Sequence, residues 1–198
     1  MRSSCGTASS DAMGRHDSTI RLFVAVYPPE SVRGEMLAAL RRIDLPPHRT
    51  VPPEQVHLTL QFIGDREPGE VSAITESVRR SASGIDAFSL TPERLITLPQ
   101  RGRPRLIAVE TDAPPGLLEL QGRLASRLAR APRARPGDRF RPHLTVCRFH
   151  RDVHAERLDV RVDLAPFEIS VIRLMQSVLS PRGAQHTEIS AVSLGSSG

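Results

Sequence analysis

The chain has 198 residues, of which 39% are hydrophobic and 25% charged, and its formal net charge is +5. That length suits one compact domain, and no apolar run approaches the roughly 18–20 residues of a membrane span. All 27 basic residues are arginine, which excludes a Schiff-base lysine, a P-loop lysine and a nucleotidyl-lysine.

Arginine suits phosphate instead, because its planar fork binds two oxygens at once. The two cysteines, Cys5 and Cys147, form neither a disulfide framework nor a metal cluster and fit a reducing, cytoplasmic setting. Residues 1–18 are Ser/Gly-rich with no apolar h-region. They read as a disordered extension and not as a secretory signal.

The first strand is "IRLFVAVYPP" (20–29), β-branched and aromatic with a closing proline pair. "ESVRGEMLAALRRI" follows as a helix with Val32, Met36, Leu40 and Ile43 on one face. A proline-rich loop, 44–54, leads to a strand, "QVHLTLQFI" (55–63), closed by Gly64-Asp65. The next helix, 70–82, sets Val71, Ile74 and Val78 in register. "AFSLTPERLITL" (87–98) and "PRLIAVET" (104–111) read as strands. Leu117, Leu120, Leu124 and Leu128 stripe the helix at 114–131, with prolines at its start. An Arg/Pro-rich loop precedes the strand "PHLTVCRF" (142–149). Three more strands follow at 157–164, 167–180 and 186–194, with "PRG" a turn between the last two. Strands outnumber helices and short turns join several of them, so the fold class is α+β with mostly antiparallel sheet. One domain, 19–194, is expected to carry it, with 195–198 a flexible tail.

One motif occurs twice. "VHLTLQFIG" at 56–64 matches "PHLTVCRFH" at 142–150, with phenylalanines at 62 and 149. Residues i and i+2 of a strand share a face. His57 and Thr59 therefore face one way while Val56, Leu58 and Leu60 face a core. His143 and Thr145 repeat this against Leu144 and Val146. Two such faces opposed across a cleft put two acid/base groups on either side of a substrate. In-line displacement at phosphorus needs that pairing, because one oxygen loses a proton while the other gains one. The threonine hydroxyls can hold non-bridging oxygens, an arginine can neutralise developing charge, and no metal is required. A single His-x-Thr strand is more often structural; a matched pair is not.

Two other constellations carry less. Cys147 lies four residues from His143, about 13 Å along a strand at ~3.3 Å per residue, too far for a nucleophile–base pair. "HRDVH" (150–154) offers two histidines but no third ligand, and reads as a solvated turn.

With these flanks the paired motifs resemble the 2H phosphoesterase superfamily, and within it the RNA 2′,3′-cyclic phosphodiesterase (2′-5′ RNA ligase) family. The likeness runs from about residue 20 to 192, through "RLFVAV", "PPEQVHLTLQFIGD", "PRLIAVE", "FRPHLTVCRF" and "SPRGAQHTEI". It implies a bilobal, pseudo-twofold α+β fold, with two mainly antiparallel sheets flanked by helices around a central cleft. It also implies metal-independent opening of a 2′,3′-cyclic phosphate to a 2′-phosphomonoester, without a cofactor. By the same resemblance His57 protonates the 3′ leaving oxygen and His143 activates water, although a pseudo-symmetric site allows the reverse. Thr59, Thr145 and Arg148 bind phosphate.

Strict alternation sets Arg148 on the wrong face, so it needs a bulge or the strand's end. Where the family often has a tyrosine near the end, this chain has His186. With no Trp and one Tyr, Phe62, His186 and arginine faces are the groups left to stack a base. The expected partners are RNA ends or small cyclic nucleotides, met by a monomer with no obligate protein partner and no membrane.

Two alternatives stand beside this. The arginine-rich loop at 130–141 and the positive charge fit an RNA-binding module without turnover. The same two histidines also serve 2′-5′ ligation or cleavage of a 2′-5′ linkage.

Overall fold

Alternation of apolar and polar residues sets the sheet in a computed structural model that describes residues 19–129, 140–180 and 183–195. The expectations for residues 1–18, for most of the arginine-rich loop and for the tip of the 181–183 turn lie outside the described residues, as do 196–198. In chain order the elements are β1 (Ile20–Val26), α1 (Glu30–Arg41), β2 (His48–Thr50), β3 (Leu58–Arg66), α2 (Val71–Ala82), β4 (Phe88–Leu90), β5 (Pro92–Leu98), β6 (Leu106–Thr111), α3 (Pro115–Leu128), β7 (His143–Phe149), β8 (Asp159–Arg161), β9 (Phe167–Ile169), β10 (Val171–Ser180) and β11 (Gly183–Ser193). No described helix is long and apolar enough to cross a membrane.

The large sheet runs β11-β10-β1-β3-β7-β6-β5-β8, with β2 added against β7. Its pairings are antiparallel throughout. It divides into two like halves, β11-β10-β1-β3 and β7-β6-β5-β8, which meet through one residue pair, Leu58↔Leu144. A strand–helix–strand unit closes on each motif strand: β1-α1-β3 in the first half and β6-α3-β7 in the second. The helices then cross over, for α1 packs on β7 and α3 on β3. That exchange carries the pseudo-twofold and ties the halves together. A small second sheet, β4-β9, stands apart.

The helical stripes bury for the most part; Ile43 lies past the end of α1 and packs partly buried on the core, and Val71 is half-buried. Val32, Met36 and Leu40 of α1, Ile74 and Val78 of α2, and the four leucines of α3 all enter one core cluster with Leu58, Leu60, Leu144 and Val146. That core lies on the helix-covered face of the sheet. On the opposite face Phe23, Ala25 and Met175 form a small apolar group with Tyr27 against it. The period-two pattern of β1 supplies both, with Leu22, Val24 and Val26 inward and Phe23, Ala25 and Tyr27 outward.

Several boundaries differ from the sequence reading. β2 falls inside the proline-rich loop; three residues between prolines give no period to read. Residues 87–98 and 167–180 each divide into two strands belonging to different sheets. Gly64-Asp65 does not close the strand, which continues to Arg66 through Gly64 at φ +81. Glycine alone enters that backbone region without a Cβ clash. Gly195, expected to begin the tail, bridges Asp86 instead.

Candidate active site

The site is built on the strands that meet at Leu58↔Leu144. That register sets His57 and Thr59 beside His143 and Thr145 on one face of a continuous sheet. The two halves meet edge to edge through this one pair, and the faces of both motif strands line a single cavity.

The two imidazoles are held alike. Nδ1 of His57 donates to the carbonyl of Gln55 at 2.6 Å, and Nδ1 of His143 to that of Arg141 at 2.8 Å. A carbonyl can only accept, so Nδ1 carries the hydrogen in both rings. Nε2 is left for the cavity, as an acceptor when neutral and a donor when protonated.

The rings differ in their surroundings. His57 lies against Phe23 and Tyr27, with ring centres 5.2 and 5.4 Å away, and meets His186 edge-on at 5.1 Å. Burial in this aromatic nest pushes His57 down to about 4, helped by the charges of His186, Arg148 and His143. His186 is lowered too, by burial and then by Arg148. Burial raises Tyr27 to about 12, and its hydroxyl is buried without a hydrogen-bond partner among the described residues.

Two bulges complete the site. On β3, Thr59 pairs with Ala25 and Gln61 with Val24, so Leu60 is passed over. On β7, Thr145 pairs with Ala108 and Cys147 with Ile107, so Val146 is passed over. Each extra residue reverses the parity beyond it. Phe62 and Arg148 are thereby turned onto the face of the histidines, and both line the cavity. The bulge resolves the parity problem at Arg148. It also corrects the pairing of Phe62 with Phe149: Phe62 corresponds to Arg148, whereas Phe149 pairs with His48 and packs against the core.

The resulting cavity is about 1010 Å³ and brings together all seven residues expected from the sequence: His57, Thr59, Phe62, His143, Thr145, Arg148 and His186. That volume lies at the upper end of small-molecule sites, which span roughly 300–1,000 Å³. Four lining residues are arginines (Arg21, Arg49, Arg141 and Arg148), and no described lining residue is a carboxylate. The sequence reading missed Arg49, Arg141 and Phe23. The alternation in "RLFVAVY" was a signal for Phe23; nothing local marks the two arginines. Among the described residues no three His, Cys, Asp or Glu side chains are grouped to hold a metal ion. "HRDVH" forms a turn.

The sequence profile of the 2′-5′ RNA ligase superfamily matches residues 28–177. The chain belongs to that superfamily. An RNA 2′,3′-cyclic phosphodiesterase of Thermus thermophilus is 30% identical over 190 residues, covering 88% of this chain and 90% of its own. One from Archaeoglobus fulgidus is 28% identical over 176 residues, covering 86% and 98%. Among solved structures, TT0787 of Thermus thermophilus superposes with a TM-score of 0.76 at 28% identity, covering 90% of this chain and all of that one. E. coli LigT complexed with 3′-AMP superposes with a TM-score of 0.72 at 25% identity, covering 90% and 99%. In this superfamily member the two motif strands form the join between the halves of the sheet.

Proposed function

We propose that this protein hydrolyses a 2′,3′-cyclic phosphate, at an RNA end or on a small nucleotide, to a 2′-phosphomonoester, using His57 and His143 and no metal. One observation carries the reading: both imidazoles are fixed through Nδ1 and offer Nε2 to one arginine-lined cavity without a described carboxylate. The curated relatives, named RNA 2′,3′-cyclic phosphodiesterases, support the substrate class.

The phosphate sits between the two histidines, with Thr59 and Thr145 on its non-bridging oxygens and Arg148 countering the charge that develops. Water attacks phosphorus as His143 takes its proton, the bond to the 3′ oxygen breaks, and His57 gives that oxygen a proton. His57 must be protonated for this role, whereas burial by the protein alone keeps it neutral at pH 7. The bound phosphate anion supplies the compensating negative charge. Phe62 and His186 stack the base.

His57→Ala and His143→Ala should each lower turnover of a 2′,3′-cyclic mononucleotide by about 10²–10⁴-fold. EDTA should leave the wild-type rate unchanged. Full activity in either variant would remove the proposal. The order of roles has its own test by NMR titration of His57 with and without inorganic phosphate. A value that stays near 4 with phosphate bound would make His57 the base and His143 the acid.

A further inference from the structure

A second cavity, of about 610 Å³, opens beside the catalytic one, over the face of the sheet that carries Tyr27 and Met175. Gln55 and His186 line both cavities. The partition is thin, for Tyr27 lines only the second cavity and its ring centre is 5.4 Å from that of His57. The two cavities differ in charge. The catalytic one is lined by four arginines and no described carboxylate. The second is lined by two arginines, Arg33 and Arg173, and two carboxylates, Glu54 and Glu188. Phosphate suits the first. The second suits a group that both donates and accepts hydrogen bonds.

Arg173 and Glu188 are spent on each other. Arg33 and Glu54 are not. Arg33 donates through Nη1 to the carbonyl of Pro53 at 3.0 Å, so α1 sets its guanidinium next to the residue that follows, Glu54. The two form no ion pair, and Glu54 has no hydrogen bond or ion pair with any described residue. Arg33 is the more committed of the two: Pro53 takes one of its amines and its Nε is buried. Glu54 is exposed and offers both carboxylate oxygens. The cavity thus presents a cationic donor beside a carboxylate free to accept twice. Guanine matches that order on one edge, with O6 next to N1–H and N2–H. Adenine, cytosine and uracil each bring a single donor nitrogen and leave one carboxylate oxygen unmet. Charge-assisted hydrogen bonds are roughly twice as strong as neutral ones, so Glu54 outweighs Gln185 and Thr187 on the same wall. His186 fixes the position. A base stacked on that ring in the catalytic cavity turns an edge toward the cavity on its other side.

We propose that the second cavity reads the edge of the substrate's base and selects guanine, with Glu54 accepting from N1–H and N2–H and Arg33 donating to O6. This rests on the reading of the catalytic cavity as a cyclic-phosphate site. It adds two specificity residues, neither of which belongs to the His-x-Thr motifs.

Calorimetry of product-like ligands tests it without relying on turnover. Wild type, Glu54→Gln and Arg33→Met are titrated with the 2′-monophosphates of guanosine, inosine and adenosine at one ionic strength. The wild type should prefer the guanosine ligand to the adenosine one by about 10–100-fold, the range of one charge-assisted contact. Inosine lacks the N2 amine and should fall between them. Glu54→Gln should bring the guanosine and adenosine ligands to within about threefold of each other, because it loses the charge and one of the two acceptors. Arg33→Met should also narrow the gap; Glu54 is exposed, so Glu54→Gln carries the test where Arg33→Met disturbs folding. Three outcomes overturn the proposal: no preference for the guanosine ligand in the wild type, a preference that persists in Glu54→Gln, or equal weakening of all three ligands in that variant. Turnover of guanosine 2′,3′-cyclic phosphate, measured alongside, reads the hydrolytic proposal separately. Its absence with the binding preference intact counts against hydrolysis and leaves the guanine site standing.

Discussion

Phe62 and Arg148 occupy equivalent places in the two halves of the sheet, one an exposed aromatic and the other a cation. Each lies five residues after its motif histidine, and each is turned onto the site face by a one-residue bulge. The fold repeats its backbone device, and the sequence breaks its chemistry. On the β3 side the cavity presents Phe23, Phe62 and His186 together with Arg21, and on the β7 side Arg49, Arg141 and Arg148 together with Phe140. At the two equivalent positions themselves the exchange is complete, an aromatic on β3 and a cation on β7. Under the proposed function the first stacks a base and the second meets phosphate.

Substitution at these two positions should separate that division of labour. Arg148→Met should lower kcat by about 10²–10³-fold, because its charge meets the phosphate as negative charge develops. Phe62→Ala should raise KM by about tenfold or more with little change in kcat, since stacking on a base holds substrate and transition state alike. Phe62 is 71% exposed, so its loss should move stability by no more than about 0.5 kcal/mol. Steady-state kinetics on a cyclic mononucleotide decide this, and a kcat effect at Phe62 equal to that at Arg148 would contradict the division.

The sequence made the chemistry legible before the architecture. His57, Thr59, His143 and Thr145 were found because period two forces i and i+2 onto one face. Arg148 came from the resemblance, against strict alternation, and the bulge that turns it to the cavity is announced by no residue pattern; Val146 is as apolar as any strand residue. That the two motif strands are sheet neighbours was not legible, because nothing in either motif reports which edge its strand offers. The Leu58↔Leu144 join is a long-range pairing of two sequences that look alike as core strands. Arg49 stayed hidden for the same reason. It sits in a three-residue strand whose partner is 99 residues away in sequence (Arg49 to Arg148).

Acid should destabilise the fold through His57. Its folded value, about 4, lies below the ordinary 6.5. Between those values the unfolded chain binds the extra proton, so stability rises with pH through that window and levels off above 6.5. Lowering pH from 6.5 to 5 should cost about 2 kcal/mol from this group. His186, also lowered, acts in the same direction. Urea unfolding at both pH values checks it, and His57→Gln should flatten most of the difference. An unchanged slope in that variant would place the acid sensitivity elsewhere.

The join between halves should be sensitive to a lost side chain. Leu58 and Leu144 are fully buried and form the single register pair between β3 and β7. Leu58→Ala should destabilise by about 2–5 kcal/mol, the cost of lost transfer energy plus a cavity. It should also weaken activity at temperatures where the fold remains intact, because His57 and Thr59 flank the deleted side chain. Leu118→Ala, at an exposed position on α3, is the control. Denaturant midpoints and residual turnover measured on the same samples separate the two effects.

Cys147 provides the last prediction, because it is the nucleophile a reader of "HLTVC" would propose. Its side chain is fully buried in the core cluster. The β7 bulge turns the next residue, Arg148, to the cavity and leaves the thiol inside. Burial raises its pKa, which lowers the thiolate fraction that reacts. Cys147 should therefore escape alkylation by iodoacetamide in the native protein, as read by peptide mass spectrometry that resolves it from Cys5. It should become labelled when the chain is unfolded. Cys147→Ala should keep turnover within a few-fold of wild type while losing roughly 1 kcal/mol of stability, a core substitution of small volume. Rapid native labelling, or loss of activity on the scale expected for His57→Ala, would mean that the bulge turns Cys147 and not Arg148 toward the substrate.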